Sequence, residues 1–175
     1  LNSIKHFLSM IKASKKEQTT NSQFAIDSID MAILALLQQN ARVSVKEIAD
    51  KVHLSTTPVH ERIKRLENNG VIKQYAALVD FTKVKKGLMV ICYVSLKQHS
   101  KNAGLKFIKQ INELQEVIEC YNISGEFDFM LKVVAENMDA YYDFHVNKLS
   151  QIENIGNVQS VFVMGIIKDT VQLVY

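Results

Sequence analysis

The chain has few cysteines, histidines and prolines and no long apolar run, and each of these features excludes a class of protein. Its 175 residues include two cysteines and five histidines, and neither set has the spacing of a disulfide framework or a metal site. The longest apolar run, 88–94, is far too short to cross a bilayer, and the first residues lack the pattern of a signal peptide. With 47% hydrophobic residues and one proline, the chain is predicted to be a globular cytoplasmic protein in which Cys92 and Cys120 are buried free thiols.

The formal net charge of +3 is spread unevenly along the chain. Residues 1–23 carry four lysines against one glutamate, residues 24–75 carry seven basic and six acidic residues, and residues 76–175 carry ten and eleven. The polar segment 1–23 is predicted to be a tail that is disordered or not native to the protein. Because the remainder is almost neutral, binding to a polyanion such as DNA would have to come from locally clustered cations.

Two short amphipathic helices joined by a tight turn are predicted between residues 43 and 73. Ser44, with Glu47 three residues later, has the pattern of a capping box that opens the first helix. Ser55 is the predicted N-cap of the second helix, and Pro58 falls in its first turn, where a missing N–H costs little. Gly70 ends this helix. The pattern is that of a helix-turn-helix.

A further helix precedes this pair, with Asp27 or Ser28 as its N-cap and Asn40 near its end, so that three helices can build one core. The face of the last helix that points away from the core carries hydroxyls, amines and guanidinium groups, which suits the major groove of double-stranded DNA. The alternative is an ordinary solvated helix surface, but the capping box, the turn and the preceding helix favour DNA binding. The predicted DNA-binding residues are Ser55, Thr56, Thr57, His60, Glu61, Arg62, Lys64, Arg65 and Lys73.

The stretch 54–72, LSTTPVHERIKRLENNGVI, closely resembles the recognition helix of the Lrp/AsnC (leucine-responsive regulator/asparagine regulator) family. In that family the pattern L-S-x-T-P-x-x-x-R-[IV]-[RK]-R-L-E-x-x-G-[VIF]-I is specific. The resemblance extends from Ile29 to about Tyr175 and includes SGEFDF at 124–129 and VFVM at 161–164. One departure is His53, which stands where family members usually carry Gly, at a position of left-handed backbone that His adopts at some cost.

From residue 88 onward the chain twice repeats the order strand, helix, strand. This order is the ferredoxin-like βαββαβ arrangement, a four-stranded antiparallel sheet with both helices on one face. The predicted strands are 88–96, 117–124, 127–134 and 158–167, with an edge strand at 171–175, and the predicted helices are about 101–114 and 138–149. The expected fold is therefore α+β. It consists of a helix-turn-helix (winged-helix-like) domain at 24–75, a linker or strand at 76–87, and a ferredoxin-like effector-binding and oligomerisation domain at 88–175.

The first strand of the sheet is apolar on both faces. Val90, Cys92 and Val94 point one way, and residues such as Ile91 and Tyr93 point the other way. One face meets the helices, so the other favours burial against a second copy of the chain; the alternative, cover by the N-terminal domain, would compete with DNA binding. A homodimer is predicted, and the resemblance implies that four dimers form an octamer.

The segment that joins the two repeats consists of Ser124, Gly125, Glu126, Phe127 and Asp128. The residue types alone fit either an ordinary hairpin with solvated acids or a loop whose small glycine lets a ligand approach the backbone. The resemblance implies that this loop helps bind a small effector, usually an amino acid, between neighbouring dimers. The Gly125 backbone and the Asp128 carboxylate would then meet the charged ends of the effector.

These patterns lead to a sequence-specific DNA-binding transcription regulator of the nucleoid, modulated by an amino acid and without a cofactor. One alternative is an architectural DNA-binding protein without effector control. Another is an enzyme on the ferredoxin-like domain, but the sequence has no Ser/His/Asp, Cys/His, metal or phosphate-loop pattern to support it. The chain is therefore predicted not to be an enzyme.

Overall fold

The computed structural model describes residues 24–173 of the chain, and its contacts divide them into two compact units. The helical unit comprises residues 24–78 together with 167–173, and the sheet unit comprises residues 79–166. The predicted tail at 1–23 lies outside the described residues.

Between residues 24 and 78 the helical unit has three helices, α1 (Ser28–Gln39), α2 (Val45–Val52) and α3 (Thr56–Asn68). Side chains from all three helices form one core, because the apolar positions of each helix fall on a single face. The buried members are Ile33, Leu34, Ile48, Ala49, Val59 and Leu66. The three predicted helices are confirmed.

Local hydrogen bonds explain where the first two helices begin. Ser44 and Glu47 form the predicted capping box at the start of α2, each side chain accepting the N–H of the other residue. Asp27 and Asp30 form an equivalent box at the start of α1. Each box satisfies two N–H groups that lack a partner within the helix, so the chain enters both helices at a defined residue.

The turn between α2 and α3 keeps its geometry although glycine is replaced. His53 has φ 55° and ψ 44°, the left-handed conformation, and its N–H donates to the Ala49 carbonyl. Ser55 occupies the N-cap position of α3, but its side chain makes no capping hydrogen bond. Because it makes no capping bond, the Ser55 hydroxyl is available for another partner.

Beyond α3 the chain leaves the helical unit without a strand between residues 71 and 80. Gly70 has φ 68° and ends the helix, as predicted. The Tyr75 hydroxyl donates to the Glu67 carboxylate over 2.9 Å and ties the segment to α3. The segment 76–87, predicted as a linker or strand, forms no strand; it is an extended linker that contains a short 3-10 helix, Phe81–Val84.

Four strands between residues 88 and 162 form one antiparallel sheet in the order β2-β3-β1-β4. The elements in chain order are β1 (Leu88–Leu96), α4 (Lys101–Asn112), β2 (Val117–Asn122), β3 (Phe129–Ala135), α5 (Met138–Asn147), a 3-10 helix (Leu149–Gln151) and β4 (Ile155–Phe162). This is the predicted ferredoxin-like arrangement, in which the two central strands are β1 and β3.

Both helices of the sheet unit cover the same face of the sheet. Val90, Cys92 and Val94 of β1 are fully buried there, together with Phe107 of α4 and Phe144 of α5. Side chains alternate between the two faces along β1, so every second residue lies under the helices, as the sequence pattern predicts. The intervening residues of β1 lie on the opposite, open face.

Three details of the chain beyond residue 88 correct the sequence prediction. The last strand, β4, ends at Phe162 rather than at residue 167, and no strand forms in the described part of the segment predicted as 171–175. Apolar composition continues past Phe162, yet Met164 and Ile167 are each 99% exposed because no further strand lies beside them. Cys120 is exposed, not buried, because β2 is an edge strand that is paired on one side only.

Candidate functional site

The outer face of α3 presents most of the predicted DNA-binding side chains to solvent. Of the nine, all but Arg62 are exposed, and the eight from Ser55 to Arg65 lie on or next to this one helix. Lys73 lies beyond the helix end. The opposite face of the helix is buried in the core, since Val59 and Leu66 are both 0% exposed. The helix therefore has one buried and one polar side, which is what a groove-binding helix requires.

The first turn of α3 carries backbone N–H groups that no intrahelical carbonyl can accept. Thr56 and Thr57 supply two of them, and Pro58, which has no N–H, reduces the number left without a partner. Because the Ser55 hydroxyl makes no capping bond, it adds a donor beside them. Such a turn can bind a DNA phosphate.

Two arginines of α3 are bound to carboxylates at the start of α1. Arg62 Nη1 lies 2.8 Å from Asp30 Oδ1 and 2.7 Å from Asp27 Oδ2, and Arg65 Nη2 lies 2.6 Å from Asp30 Oδ2. The Arg65 guanidinium also lies over the Phe24 ring, 5.2 Å from its centroid. The predicted contact of these arginines with DNA stays a prediction.

Asp30 belongs to this site but is not among the residues predicted from the sequence. Its side chain is 0% exposed, and both its oxygens accept hydrogen bonds. The pKa of Asp27 is lowered, mainly by the hydrogen bond from the Asp30 N–H and then by Arg62, and the pKa of Arg62 is raised, mainly by Asp27. The sequence did contain a signal for this contact. Asp27 and Asp30 at the start of α1 are three residues apart, as are Arg62 and Arg65 on α3, so each pair lies on one side of its helix.

The loop from Ser124 to Asp128 joins β2 to β3. Gly125 has φ +128°, a conformation that other residues rarely adopt, and a side chain added there would meet no atom within 4 Å. Glycine is thus required by the backbone conformation, whereas the space above it is open. Ser124, Gly125 and Glu126 are exposed, whereas Phe127 and Asp128 are half-buried.

Asp128 anchors this loop to the end of β1. Its Oδ2 accepts the Leu96 N–H over 2.7 Å, its Oδ1 lies 3.1 Å from His99 Nδ1, and its own N–H donates to the Val94 carbonyl. His99 was not predicted as a site residue. Both carboxylate oxygens of Asp128 therefore have partners within the chain, so its first role is to hold the loop in shape.

Phe127 places the loop against the open face of the sheet. Its ring packs on Tyr93 of β1 with 5.5 Å between the centroids. A separate groove of about 470 Å³ lies beside the start of α4, lined in part by Lys97, Lys106 and Asn154. None of the five predicted effector-loop residues lines that groove.

The described residues contain neither a cluster of metal ligands nor a membrane-spanning helix. Within 24–173, no three His, Cys, Asp or Glu side chains gather closely enough to hold a metal ion. None of the helices in that range is long and apolar enough to cross a membrane.

Comparison with known proteins covers both units. The model for "Winged helix-turn-helix DNA-binding" matches residues 26–73, and the model for "Lrp/AsnC ligand binding domain" matches residues 89–173. The leucine-responsive regulatory protein of Rhizobium meliloti is 36% identical over 149 residues, which is 85% of this chain and 95% of that protein. The chain belongs to the Lrp/AsnC family. The Escherichia coli K12 "DNA-binding transcriptional activator DecR" is 33% identical over 148 residues, 85% of this chain and 97% of that protein.

Solved Lrp/AsnC structures share the fold. A Neisseria meningitidis transcriptional regulator, described as a complex with L-Met, superposes with a TM-score of 0.81 at 34% identity, covering 85% of this chain and 96% of that one. An AsnC family regulator from Agrobacterium tumefaciens gives 0.80 at 37% identity with the same coverage. The predicted family, the α+β fold class and the function as a DNA-binding transcription regulator with a ligand-binding domain are confirmed.

Proposed function

We propose that this Lrp/AsnC regulator acts on nucleoid DNA as a homo-oligomer, which reads duplex DNA with α3 and responds to an amino acid at the loop 124–128. The exposed polar face of α3 is the observation that carries the proposal. It combines hydroxyls near the N-terminus of the helix with a cation further along, opposite a fully buried apolar stripe. Catalysis is not part of the proposed function.

The residues of α3 divide into two roles in the major groove. Thr57, His60 and Glu61 stand near the N-terminal half, where base edges are within reach, and their side chains donate and accept hydrogen bonds. Lys64 and Lys73 are exposed cations and would bind phosphates. The first-turn N–H groups and the Ser55 hydroxyl would bind a further phosphate and fix the register of the helix.

The open face of the sheet is the surface on which we place the dimer contact. Ile91 and Tyr93 of β1, Met130 of β3 and Val161 of β4 carry apolar groups on this face, as their pairing in the sheet requires. The same face also carries Lys132 and Glu119, whose charges are paired with each other at 3.1 Å. A sheet with helices on one side only leaves such a surface uncovered, and a second copy of the same surface covers it by two-fold symmetry.

A dimer would present two copies of α3 to DNA. Paired recognition helices contact half-sites about one helical turn apart, roughly 34–36 Å, and the second copy compensates for the few cations on each helix. Following the family resemblance, we propose that four such dimers close into an octamer.

We place the amino-acid effector at the exposed backbone of the loop 124–128, completed by a neighbouring chain. The space above Gly125 is open in a single chain, and Glu126 beside it is an exposed carboxylate that can meet an ammonium group. Asp128 supports the site by holding the loop. Since one relative was solved with L-Met and another is named leucine-responsive, L-methionine and L-leucine are the first effectors to test.

Footprinting tests the proposal on the DNA upstream of the gene for this chain, with and without a panel of amino acids. Protection of one or more segments that changes with one amino acid is expected. Absence of protection at low salt would contradict the DNA-binding role of α3. Protection that no amino acid alters would instead favour an architectural DNA-binding protein without effector control.

Light scattering tests the dimer contact. Ile91→Lys places a charge in the proposed interface and should shift the mass toward the 19.9 kDa of one chain, because an unpaired buried charge is costly. Leu105→Lys is the matched control, since Leu105 is 48% exposed on α4, away from the open face. A wild-type chain that scatters as a monomer at micromolar concentration would remove the interface from the proposal.

The loop is tested by Gly125→Val. A β-branched residue at φ +128° distorts the loop backbone, so the response to the active amino acid should be lost. Binding of DNA without effector should persist, because α3 belongs to the other unit. An unchanged effector affinity in calorimetry would return the loop to the role of an ordinary hairpin.

A further inference from the structure

The two arginines in the middle of α3 are paired within the chain although they lie on the helix that meets DNA. Asp30 receives Arg62 on one carboxylate oxygen and Arg65 on the other, at 2.8 and 2.6 Å, and the neighbouring Asp27 receives Arg62 at 2.7 Å. The Asp30 side chain is 0% exposed, whereas those of Arg62 and Arg65 are 24% and 44% exposed. The carboxylate is thus buried under its two cations.

The charges in this cluster cancel. Two carboxylates face two guanidinium groups, so the cluster as a whole offers no net positive charge to a phosphate. A guanidinium that leaves Asp30 for DNA would abandon a carboxylate without access to water, and breaking a buried pair in this way is strongly unfavourable. Lys64 lies between the two arginines in sequence and is exposed. Lys64 therefore differs from its arginine neighbours in having its charge available.

We propose that Asp30 is a positioning residue, which locks α3 to α1 and withholds the charges of Arg62 and Arg65 from the DNA backbone. This inference rests on the proposed DNA-binding role of α3. Contacts to phosphates are the same for every sequence, so each cation removed from them lowers the affinity for non-specific DNA. The contacts of Thr57, His60 and Glu61 with bases then account for a larger share of the binding. The affinity for DNA of any sequence then depends less on salt, and the ratio of affinities for two sequences is unchanged.

The salt dependence of DNA binding separates this inference from a structural role. For B-DNA, the logarithm of the binding constant falls with the logarithm of the salt concentration with a slope of about 0.9 per neutralised phosphate. Titration of a fluorescent mixed-sequence duplex at several salt concentrations gives this slope without knowledge of an operator. Lys64→Ala should make the slope shallower by about 0.9 for each copy of α3 bound to the DNA, whereas Arg65→Gln should leave it at the wild-type value.

Removing the carboxylate should have the opposite effect. Asp30→Asn keeps the shape of the side chain but frees the guanidinium groups, so the slope should steepen by about 0.9 for each one released and binding at low salt should tighten. In this background Arg65→Gln should lower the slope by about 0.9 for each copy of α3 bound, although it has no effect in the wild-type chain. An effect of Arg65→Gln on the slope that appears only when Asp30 is replaced would show that Asp30 withholds the charge of Arg65.

Asp50→Asn is the matched control. Asp50 is an exposed residue of α2, and its replacement removes the same charge from the same unit without contact with either arginine. Its slope should equal that of the wild-type chain. Equal steepening in Asp50→Asn and Asp30→Asn would overturn the inference, because net charge alone would then explain it.

Circular dichroism at the titration temperature establishes that each variant is folded. If Asp30→Asn does not fold, the comparison of Arg65→Gln with Lys64→Ala decides the matter, and an equal loss of slope in both overturns the inference. A wild-type chain that binds no duplex overturns the proposed function and the inference together. Binding with a wild-type slope in folded Asp30→Asn overturns the inference alone.

Discussion

The two units fill their cores in similar ways but leave different surfaces behind. The helical unit buries six residues, including Ile33, and leaves exposed hydroxyls and amines on α3. The sheet unit buries a larger set around Phe107 and leaves an open sheet face on which apolar side chains such as Ile91 and Tyr93 alternate with few charges. The polar surface suits a hydrated, charged partner such as DNA, and the apolar surface suits another protein chain.

The difference also extends to how each unit uses its charged groups. In the helical unit, Asp27 and Asp30 hold α3 against α1 through arginines. In the sheet unit, Asp128 holds a loop through a backbone N–H and His99. In both units a carboxylate positions the element that we propose meets the ligand, which makes the supporting residue distinct from the binding residue.

The largest expected effect concerns the two cores. Phe107→Ala should lower the free energy of unfolding of the sheet unit by about 3–5 kcal/mol, because it removes a fully buried ring and leaves a cavity. Ile48→Ala should cost about 2–5 kcal/mol in the helical unit. Urea unfolding followed by hydrogen exchange in each unit measures both. Loss of protection in both units with either variant would show that they unfold together rather than as separate bodies.

Loop anchoring should give the next effect. Asp128→Ala leaves the Leu96 N–H without its acceptor and should cost about 1–3 kcal/mol, together with loss of effector binding. His99→Ala removes only an exposed partner and should cost less than about 1 kcal/mol. Thermal unfolding and calorimetry with the active amino acid measure both quantities. Equal costs for the two variants would show that the histidine, not the backbone contact, orders the loop.

Two serines at helix starts form a matched pair in the helical unit. Ser44→Ala removes a capping bond and should cost roughly 1 kcal/mol of stability. Ser55→Ala removes no capping bond, so its stability should change little while DNA binding weakens. Thermal melts and DNA titrations separate the two effects. A stability loss of the same size in both would mean that Ser55 caps α3 in solution.

Acid should weaken the helical unit through its capping carboxylates. The pKa of Asp27 is lowered by the Asp30 N–H and then by Arg62, and the pKa of Glu47 is lowered by the Ser44 N–H and then by the Ser44 hydroxyl. A lowered folded pKa means that the ionised form stabilises the fold. This stabilisation is complete above the ordinary values of 3.8 and 4.5 and is lost as the pH falls through the folded pKa values.

Asp27→Asn tests the acid response, because asparagine caps a helix as well as aspartate but does not titrate. Hydrogen exchange of α1 between about pH 5 and pH 2 should become less dependent on pH in this variant. Glu119→Gln, in the sheet unit, is the control and should leave the exchange of α1 unchanged. An unchanged pH dependence in Asp27→Asn would assign the acid response to other groups.

Much of the fold was predictable because it depends on neighbours in sequence. Helix starts follow from residues three apart, such as Ser44 and Glu47, and buried strand faces follow from alternation along β1. The left-handed turn at His53 was also expected, from the position that it shares with a glycine. The end of β4 was not predictable, because apolar residues continue past Phe162 and only the neighbouring strands determine where pairing stops.

The candidate sites divide in the same way. The amino-acid sequence by itself determined which helix carries the exposed hydroxyls and cations and which loop requires glycine, since periodicity and backbone sterics are local. Tertiary structure alone decided that Arg65 meets Asp30, 35 residues away in sequence, and that Asp128 meets His99, 29 residues away. The physical reason is that a side chain's charge is available to a ligand only if folding brings no opposite charge to it, and that depends on residues distant in sequence.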